Sequence, residues 1–297
     1  MGEHAVLHRR RALVCAIDRR IHVRVTPRRD RRISIRSALG EDAGSLEDVQ
    51  VRAPFTFVWA AIARYARELP GGLDLQVEAD FDHRTGLGSS AAVTVATTAA
   101  LGAWMGREWG PEALHRECLA TVQQVQGRGS GADVAASIAG GLVEYRQDPF
   151  KLVPLQAVHP ITVVYAGYKT PTAEVIQRVE AERQKRPALY EGFFFEIDEC
   201  VRTAVDAICR DDWVALGLCL NQNQALMVAL GVADAALNEI VAALCEQPGI
   251  LGAKISGSGL GDCAVGLGRV TDWPLTYPLI PCQMSQKGVR VEKAGCR

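Results

Sequence analysis

The sequence predicts an α+β protein of two domains, and three observations carry that expectation. Segments patterned as strands and as helices alternate along its 297 residues without long parallel βαβ repeats, as in an α+β sandwich. Residues 147–160 hold three prolines and little periodicity, which places a boundary there and gives domains of 1–150 and 151–297. Three glycine-rich stretches each stand beside a well-patterned strand or helix: Arg84-Thr-Gly-Leu-Gly-Ser-Ser-Ala-Ala92, Gly127-Arg-Gly-Ser-Gly-Ala-Asp133 and Ser256-Gly-Ser-Gly-Leu-Gly-Asp262.

Composition bounds the function classes. Hydrophobic residues make up 48% and charged residues 23%, enough for a sizeable core. A net charge of −1 makes no electrostatic case for nucleic acid across the whole molecule. Nine cysteines, an odd count without a C-x-x-C pair, fit reduced thiols in a cytoplasmic protein. No apolar run reaches the roughly 18 residues a membrane-spanning helix needs, and no targeting segment is recognisable.

Residues 1–17 read as a strand entering at Val6-Leu7 and Ala12–Ile17, with Glu3 and His4 unusual polar residues so near the start. Ile21, Val23 and Val25, then Ile33 and Ile35, alternate with polar residues around a turn at Pro27–Arg32, which predicts a hairpin with one basic face. Arginines at 19, 20, 24, 28, 29, 31, 32 and 36 give that hairpin either a solvated face or an anionic-partner surface; no aromatics interleave them to stack bases. Residues 38–50 are acidic and small, a loop. Helices are expected over Phe55–Leu69, Ala91–Met105 and Pro111–Gln126, the last opened by a proline suited to a first helical position. Further on come a buried strand at Ile161–Ala166, helices over 173–186, 190–209, 212–229 and 233–246, a strand–loop–strand over Gly252–Gly268, and a last strand at Gly288–Lys293.

The first glycine stretch is the centre of the chain. Leu73, Leu75, Val77 and Ala79 alternate with polar residues as a strand, and a helix follows the loop. Strand, glycine loop and helix gather amide donors and a helix dipole at one point, which favours an anion there. Gly86 and Gly88 let the backbone approach a phosphate, while Ser89 and Ser90 offer hydroxyls to cap the helix or face a magnesium ion. The same residues also suit a plain capped helix after a turn. The stretch is neither a Walker A loop nor a dinucleotide fingerprint. In the second glycine stretch, Asp133 opens a helix over Val134–Ala139. There it either stabilises that helix by a few tenths to about 1 kcal/mol, or serves as an ionised carboxylate that takes or orients the proton of a substrate hydroxyl.

Together the three stretches resemble the motifs of the GHMP kinase superfamily, in its mevalonate kinase and phosphomevalonate kinase branch. The likeness runs from Gly2 to Gly268, and Gly2-Glu-His-Ala-Val6 resembles the tail of the first motif. It implies a two-domain GHMP kinase fold, the N-terminal domain like ribosomal protein S5 domain 2 and the C-terminal domain ferredoxin-like, with the active site in the cleft between them. It implies ATP and Mg2+, and phosphorylation of a small-molecule hydroxyl, with mevalonate as the expected acceptor. Residue by residue, Gly86, Leu87, Gly88, Ser89, Ser90 and Ala91 would hold the ATP phosphates, with Ser90 also at the metal. Asp133 and Thr172 would be catalytic, Thr172 near the transferred phosphate. Glu3, His4, Gly257 and Gly259 would face the acceptor. The partners expected are a small molecule, no membrane, and a second copy of the chain in a homodimer.

Two departures from the pattern stand out. Mevalonate kinases carry Pro-Gly-Lys shortly before Gly-Glu-His, whereas here Met1 directly precedes Gly2. Either translation starts further upstream or the protein works without that lysine. The glutamate that binds magnesium in those kinases falls eleven residues before the catalytic aspartate, at Val122 here. Phosphomevalonate kinases also commonly lack it, and Gly129–Ala136 and Gly261-Asp-Cys263 resemble their motifs. Their more anionic acceptor would need extra cations, for which Arg128, Lys169 or the basic hairpin are available. A catalytically impaired relative that binds nucleotide or RNA without turnover is the reading from a different class.

Overall fold

The computed structural model describes residues 1–81 and 87–292. Among them the strands are β1 (Ala12–Cys15), β2 (Ile21–Pro27), β3 (Arg32–Ser37), β4 (Gly40–Ser45), β5 (Leu73–Ala79), β6 (Leu142–Arg146), β7 (Lys151–Leu155), β8 (Ile161–Tyr165), β9 (Ile250–Ser256), β10 (Cys263–Gly268) and β11 (Leu279–Ile280). The helices are α1 (Thr56–Tyr65), α2 (Ser89–Trp104), α3 (Pro111–Gln126), α4 (Ala132–Ala139), α5 (Thr172–Lys185), α6 (Pro187–Cys209), α7 (Trp213–Ala229) and α8 (Ala235–Cys245), with a 3₁₀ turn at Ala5–His8. This is the expected α+β class.

The chain forms two compact units from interleaved segments. One holds residues 1–18 and 140–287, the other residues 19–81, 88–139 and 288–292. The expected division at 150 falls in the turn between β6 and β7, which pair antiparallel from Leu142↔Leu155 to Arg146↔Lys151. Pro149 sits in that turn, and Pro154 lies in an edge strand, where a missing N–H is tolerated. Two of the three prolines that read as a linker are thus parts of a hairpin, and Pro160 directly precedes β8.

In the second unit the sheet order is β2-β5-β3-β4. The expected β2–β3 hairpin is not formed: β5 lies between them, antiparallel to β2 (Val23↔Val77) and parallel to β3 (Ile35↔Leu75). Leu73 and Leu75 are the most buried apolar pair of the three strands along with Ile33 and Ile35, so β5 takes a central place, and β2 is left at the edge. Residues 40–45, expected in a loop, form β4 against β3 despite poor strand propensity, because an edge position asks little of the side chains. Part of the basic face is paired within the unit, Arg36 with Glu41 (3.4 Å) among them. Arg28 pairs with Asp30 (2.8 Å) and Asp74 (2.9 Å), and Arg52 with Asp42 (2.8 Å). Trp59, Ile62, Leu101 and the β3 and β5 side chains form one core; Ala91, Val95, Val122, Val134 and Ile138 join α2, α3 and α4 in another. Among the described residues 288–292 there is no strand; Val289 N instead donates to Ile138 O (3.2 Å) at the end of α4.

The first unit has a three-stranded sheet, β1-β6-β7, and a four-stranded one, β11-β8-β10-β9. Its helices bury Val175, Phe194, Ile197, Met227 and Leu237 against Val164, Ile255 and Ala264. Val6 and Leu7 lie in the 3₁₀ turn rather than in a strand. Helix α7 holds the free edge of β9 with side chains: Asn221 Oδ1 accepts from Ala253 N and Gln224 Oε1 from Ile255 N, both at 2.9 Å. The helix can come this close because Gly217 faces Gly252, and a Cβ on either would overlap the other segment's backbone. Gly217→Val is therefore expected to cost about 1–3 kcal/mol, read as a lower Tm. An unchanged Tm would show that the helix and strand have room to part.

Candidate active site

Helix α2 begins at Ser89 behind Gly88, whose φ of 73° is left-handed. Its first intrahelical bond runs from Ala92 N to Gly88 O (3.0 Å), so Ser89, Ser90 and Ala91 occupy the turn whose amides point out of the helix end. Gly88 itself offers no side-chain cap, and the N-terminus of a helix favours an anion. The Ala91 side chain is buried in the core, so only its backbone faces this end. Ser90 O accepts from Thr94 Oγ1 (2.7 Å), which fixes the first turn. Leu87 is half-buried in the preceding bend, and Gly86 lies outside the described residues.

Asp133 stands in the first turn of α4 with its side chain exposed. A Cβ placed on Gly88 would lie 3.7 Å from Asp133 Cγ and 3.8 Å from Oδ2, so the carboxylate sits directly against the N-terminus of α2. The second glycine stretch brings it there. His115, buried on α3, hydrogen-bonds Gly131 O through Nε2 (2.9 Å), and Gln123 Nε2 donates to Gly129 O (3.2 Å). Burial pushes His115 below its usual range, with the bond to Gly131 opposing, so the neutral ring is the folded form. Val122, at the position of the family glutamate, is a buried core residue.

His115 was not legible as functional, since a lone histidine on an amphipathic helix reads as core. His115→Leu is expected to cost about 1 kcal/mol and to lower kcat more than ATP affinity, because the loop that aims Asp133 loses its anchor. The unfolded chain binds protons at His115, and at His4, which burial also depresses, before the folded one does. Stability should therefore fall as pH drops below about 6.5, and His115→Leu should flatten that slope; an unaltered slope would remove His115 from the account.

The other predicted residues lie in the first unit. Glu3 and His4 precede the 3₁₀ turn, His4 with a left-handed φ of 60°. His4 is buried and bonds Ser258 O through Nε2 (2.9 Å). Glu3 Oε1 lies 2.6 Å from Nζ of Lys254, a lysine of β9 that is only 2% exposed. Burial alone would raise the Glu3 carboxyl, but the Lys254 ammonium and the Met1 amino group hold it down at about 2. In the last glycine loop, Gly257 (φ 81°) has open space around it, whereas Gly259 (φ 89°) packs against the backbone of Val232. Gly259 is thus required by close approach as well as by its backbone angle. Thr172 is the exposed first residue of α5. The turn before it is tied to the same loop: Thr170 Oγ1 donates to Leu260 O (2.5 Å), Asp262 N to Tyr168 O (2.9 Å), and Lys169 Nζ lies 3.4 Å from Asp262 Oδ1.

The profile of the GHMP kinases N terminal domain matches residues 56–141 and that of the GHMP kinases C terminal matches residues 204–270. The chain belongs to the GHMP kinase family, a family of phosphotransferases. Within it, the chain is 34% identical to a mevalonate kinase of Archaeoglobus fulgidus over 302 aligned positions, covering 98% of this chain and 96% of the relative. It is 31% identical to one of Pyrococcus furiosus, covering 90% and 85%. The fold matches that of an L. major mevalonate kinase in complex with R-mevalonate, with a TM-score of 0.77, 23% identity and coverage of 97% and 94%.

Proposed function

We propose that this protein transfers the γ-phosphoryl group of ATP to a hydroxyl of mevalonate. The observation that carries the reading is the Asp133 carboxylate set against the N-terminus of α2 at Gly88, in a chain about a third identical to mevalonate kinases. The α2 amides bind the triphosphate and offset its charge. Asp133 takes the proton of the acceptor hydroxyl as its oxygen bonds the γ-phosphorus and the bond to the departing ADP oxygen breaks. Thr172 hydrogen-bonds the transferred group; Glu3 and His4 orient the acceptor.

Magnesium is part of the proposal. Its preference for a few hard oxygen ligands beside substrate phosphates suits the Ser90 hydroxyl in the first turn of α2. Bound there with the nucleotide, it would neutralise phosphate charge. We place the enzyme in the cytoplasm and propose that it acts as a homodimer.

A phosphorylated acceptor is the second reading. Lys169, one of the cations it would call on, already faces Asp262, which favours the less anionic mevalonate. The test is kcat/KM for mevalonate, phosphomevalonate, galactose and homoserine with ATP and magnesium. Mevalonate should lead by at least about tenfold; a lead for phosphomevalonate would replace the proposal with the second reading, and binding of ATP without turnover would replace it with an inactive relative.

A further inference from the structure

We propose that Lys254 is a positioning residue for the acceptor: through Glu3 it fixes the turn that presents His4 and leaves a carboxylate oxygen for an acceptor hydroxyl. The inference rests on the reading that Glu3 and His4 face the acceptor.

A lysine ammonium is buried only at a cost unless it is paired. Lys254 Nζ donates to Glu3 Oε1 (2.6 Å) and to Ile255 O, so its charge is met on both sides. The strand that carries it is fixed: Asn221 and Gln224 of α7 hold the amides of Ala253 and Ile255, the residues on either side. The ammonium is therefore a rigid point against which Glu3 is set.

Glu3 in turn has one oxygen engaged and the other, Oε2, buried without a hydrogen-bond partner. An orphaned buried carboxylate oxygen is unfavourable, and a hydroxyl donor from the acceptor is the chemistry that satisfies it. Gly2 (φ 93°) and His4 (φ 60°) flank Glu3 in the left-handed region. For His4 that conformation persists only while its surroundings hold it. Those holds include the Lys254–Glu3 pair, the bond from His4 to Ser258 O (2.9 Å) and the backbone bond from Leu7 N to His4 O (3.1 Å).

The charged and titratable groups facing this cluster are Lys254, His4, His8, the Cys15 thiol and the Met1 amino group, the last 3.5 Å from Glu3 Oε1. Burial pushes that amino group down to about 6 and keeps His4 below its usual range. Above neutral pH, Lys254 is thus the cation that keeps Glu3 ionised. Without it burial prevails, and the Glu3 carboxyl moves up toward neutrality.

The experiment compares wild type, Lys254→Met and the double variant Glu3→Gln/Lys254→Met. It measures Tm and steady-state kinetics with mevalonate and ATP from about pH 5.5 to 9. Lys254→Met should raise KM for mevalonate by about tenfold or more and leave KM for ATP within about twofold. Its acidic limb in kcat/KM for mevalonate should move to higher pH than in wild type. The double variant, which buries no lone carboxylate, should recover Tm while its mevalonate KM stays raised. A purely structural lysine predicts that Lys254→Met lowers Tm while its mevalonate KM stays within about twofold of wild type, and that result overturns the proposal, as does an unshifted acidic limb in Lys254→Met. Should Lys254→Met fail to fold, the double variant is compared with Glu3→Gln alone: equal mevalonate KM values support a lysine that acts through Glu3, and a KM raised further in the double variant overturns the proposal. A wild type that turns over no acceptor overturns the functional reading and this inference with it; an active wild type with wild-type-like variants overturns this inference alone.

Discussion

Asp133→Asn is expected to lower kcat by roughly 10²- to 10⁴-fold, the range of a lost proton-transfer group. The substitution keeps size and most hydrogen-bonding capacity, so the first turn of α4 should survive it. If Asp133 served only that helix, the change would cost about 1 kcal/mol or less and leave turnover nearly intact. Position decides between the two: the carboxylate lies against Gly88, at the end of a different helix. ATP affinity should hold or tighten, since a negative charge beside the triphosphate is removed. The measurement is kcat and ATP Kd on protein whose Tm matches wild type. Retention of more than about a third of wild-type turnover would exclude Asp133 from the proton transfer.

Gly88→Val should weaken ATP binding by roughly 100-fold or more, the loss of a few charge-assisted hydrogen bonds to phosphate. Two effects add. The residue sits at φ 73°, a conformation a β-branched side chain strongly resists. Relaxing it would turn the amides of Ser89, Ser90 and Ala91 away from a common anion. The new side chain would also fill the space beside Asp133, where its Cβ already stands 3.7 Å from Cγ. Gly88→Ala, which meets the same backbone angle with a smaller group, should show a milder loss. A folded Gly88→Val protein with wild-type ATP Kd would reduce this helix end to a plain N-terminus.

Much of this was legible in the sequence, for identifiable reasons. The helices over 111–126, 172–185 and 213–229 follow from apolar spacing and from the glycine and proline punctuation at their ends. Asp133 could be singled out because it opens a helix after a glycine stretch. What local pattern cannot encode is which strands meet. Ile21–Val25 and Ile33–Ile35 alternate equally well beside each other or beside β5, and burial of Leu73 and Leu75 settles it in favour of β5 between them. The interleaving of the two units is hidden for the same reason, since β1 pairs with a strand about 130 residues away, Ala12↔Tyr145. Lys254 and His115 are not legible as functional, because Lys254 reads as one residue of a strand and His115 as one of an amphipathic helix. Only the partner across the fold, Glu3 or Gly131 O, gives each a role.

The central claim, phosphoryl transfer from ATP to mevalonate with Asp133 handling the proton, is tested most directly by a single-turnover experiment. Protein in excess is mixed with ATP labelled at its γ-phosphate, with mevalonate and magnesium, and the label is followed by rapid quench in wild type and in Asp133→Asn. The account predicts that label leaves ATP and appears in phosphorylated mevalonate in step, and that Asp133→Asn slows this transfer by about 10²-fold or more while binding ATP as wild type does. Label that stays in ATP, or passes to inorganic phosphate at the same rate with and without mevalonate, would contradict it.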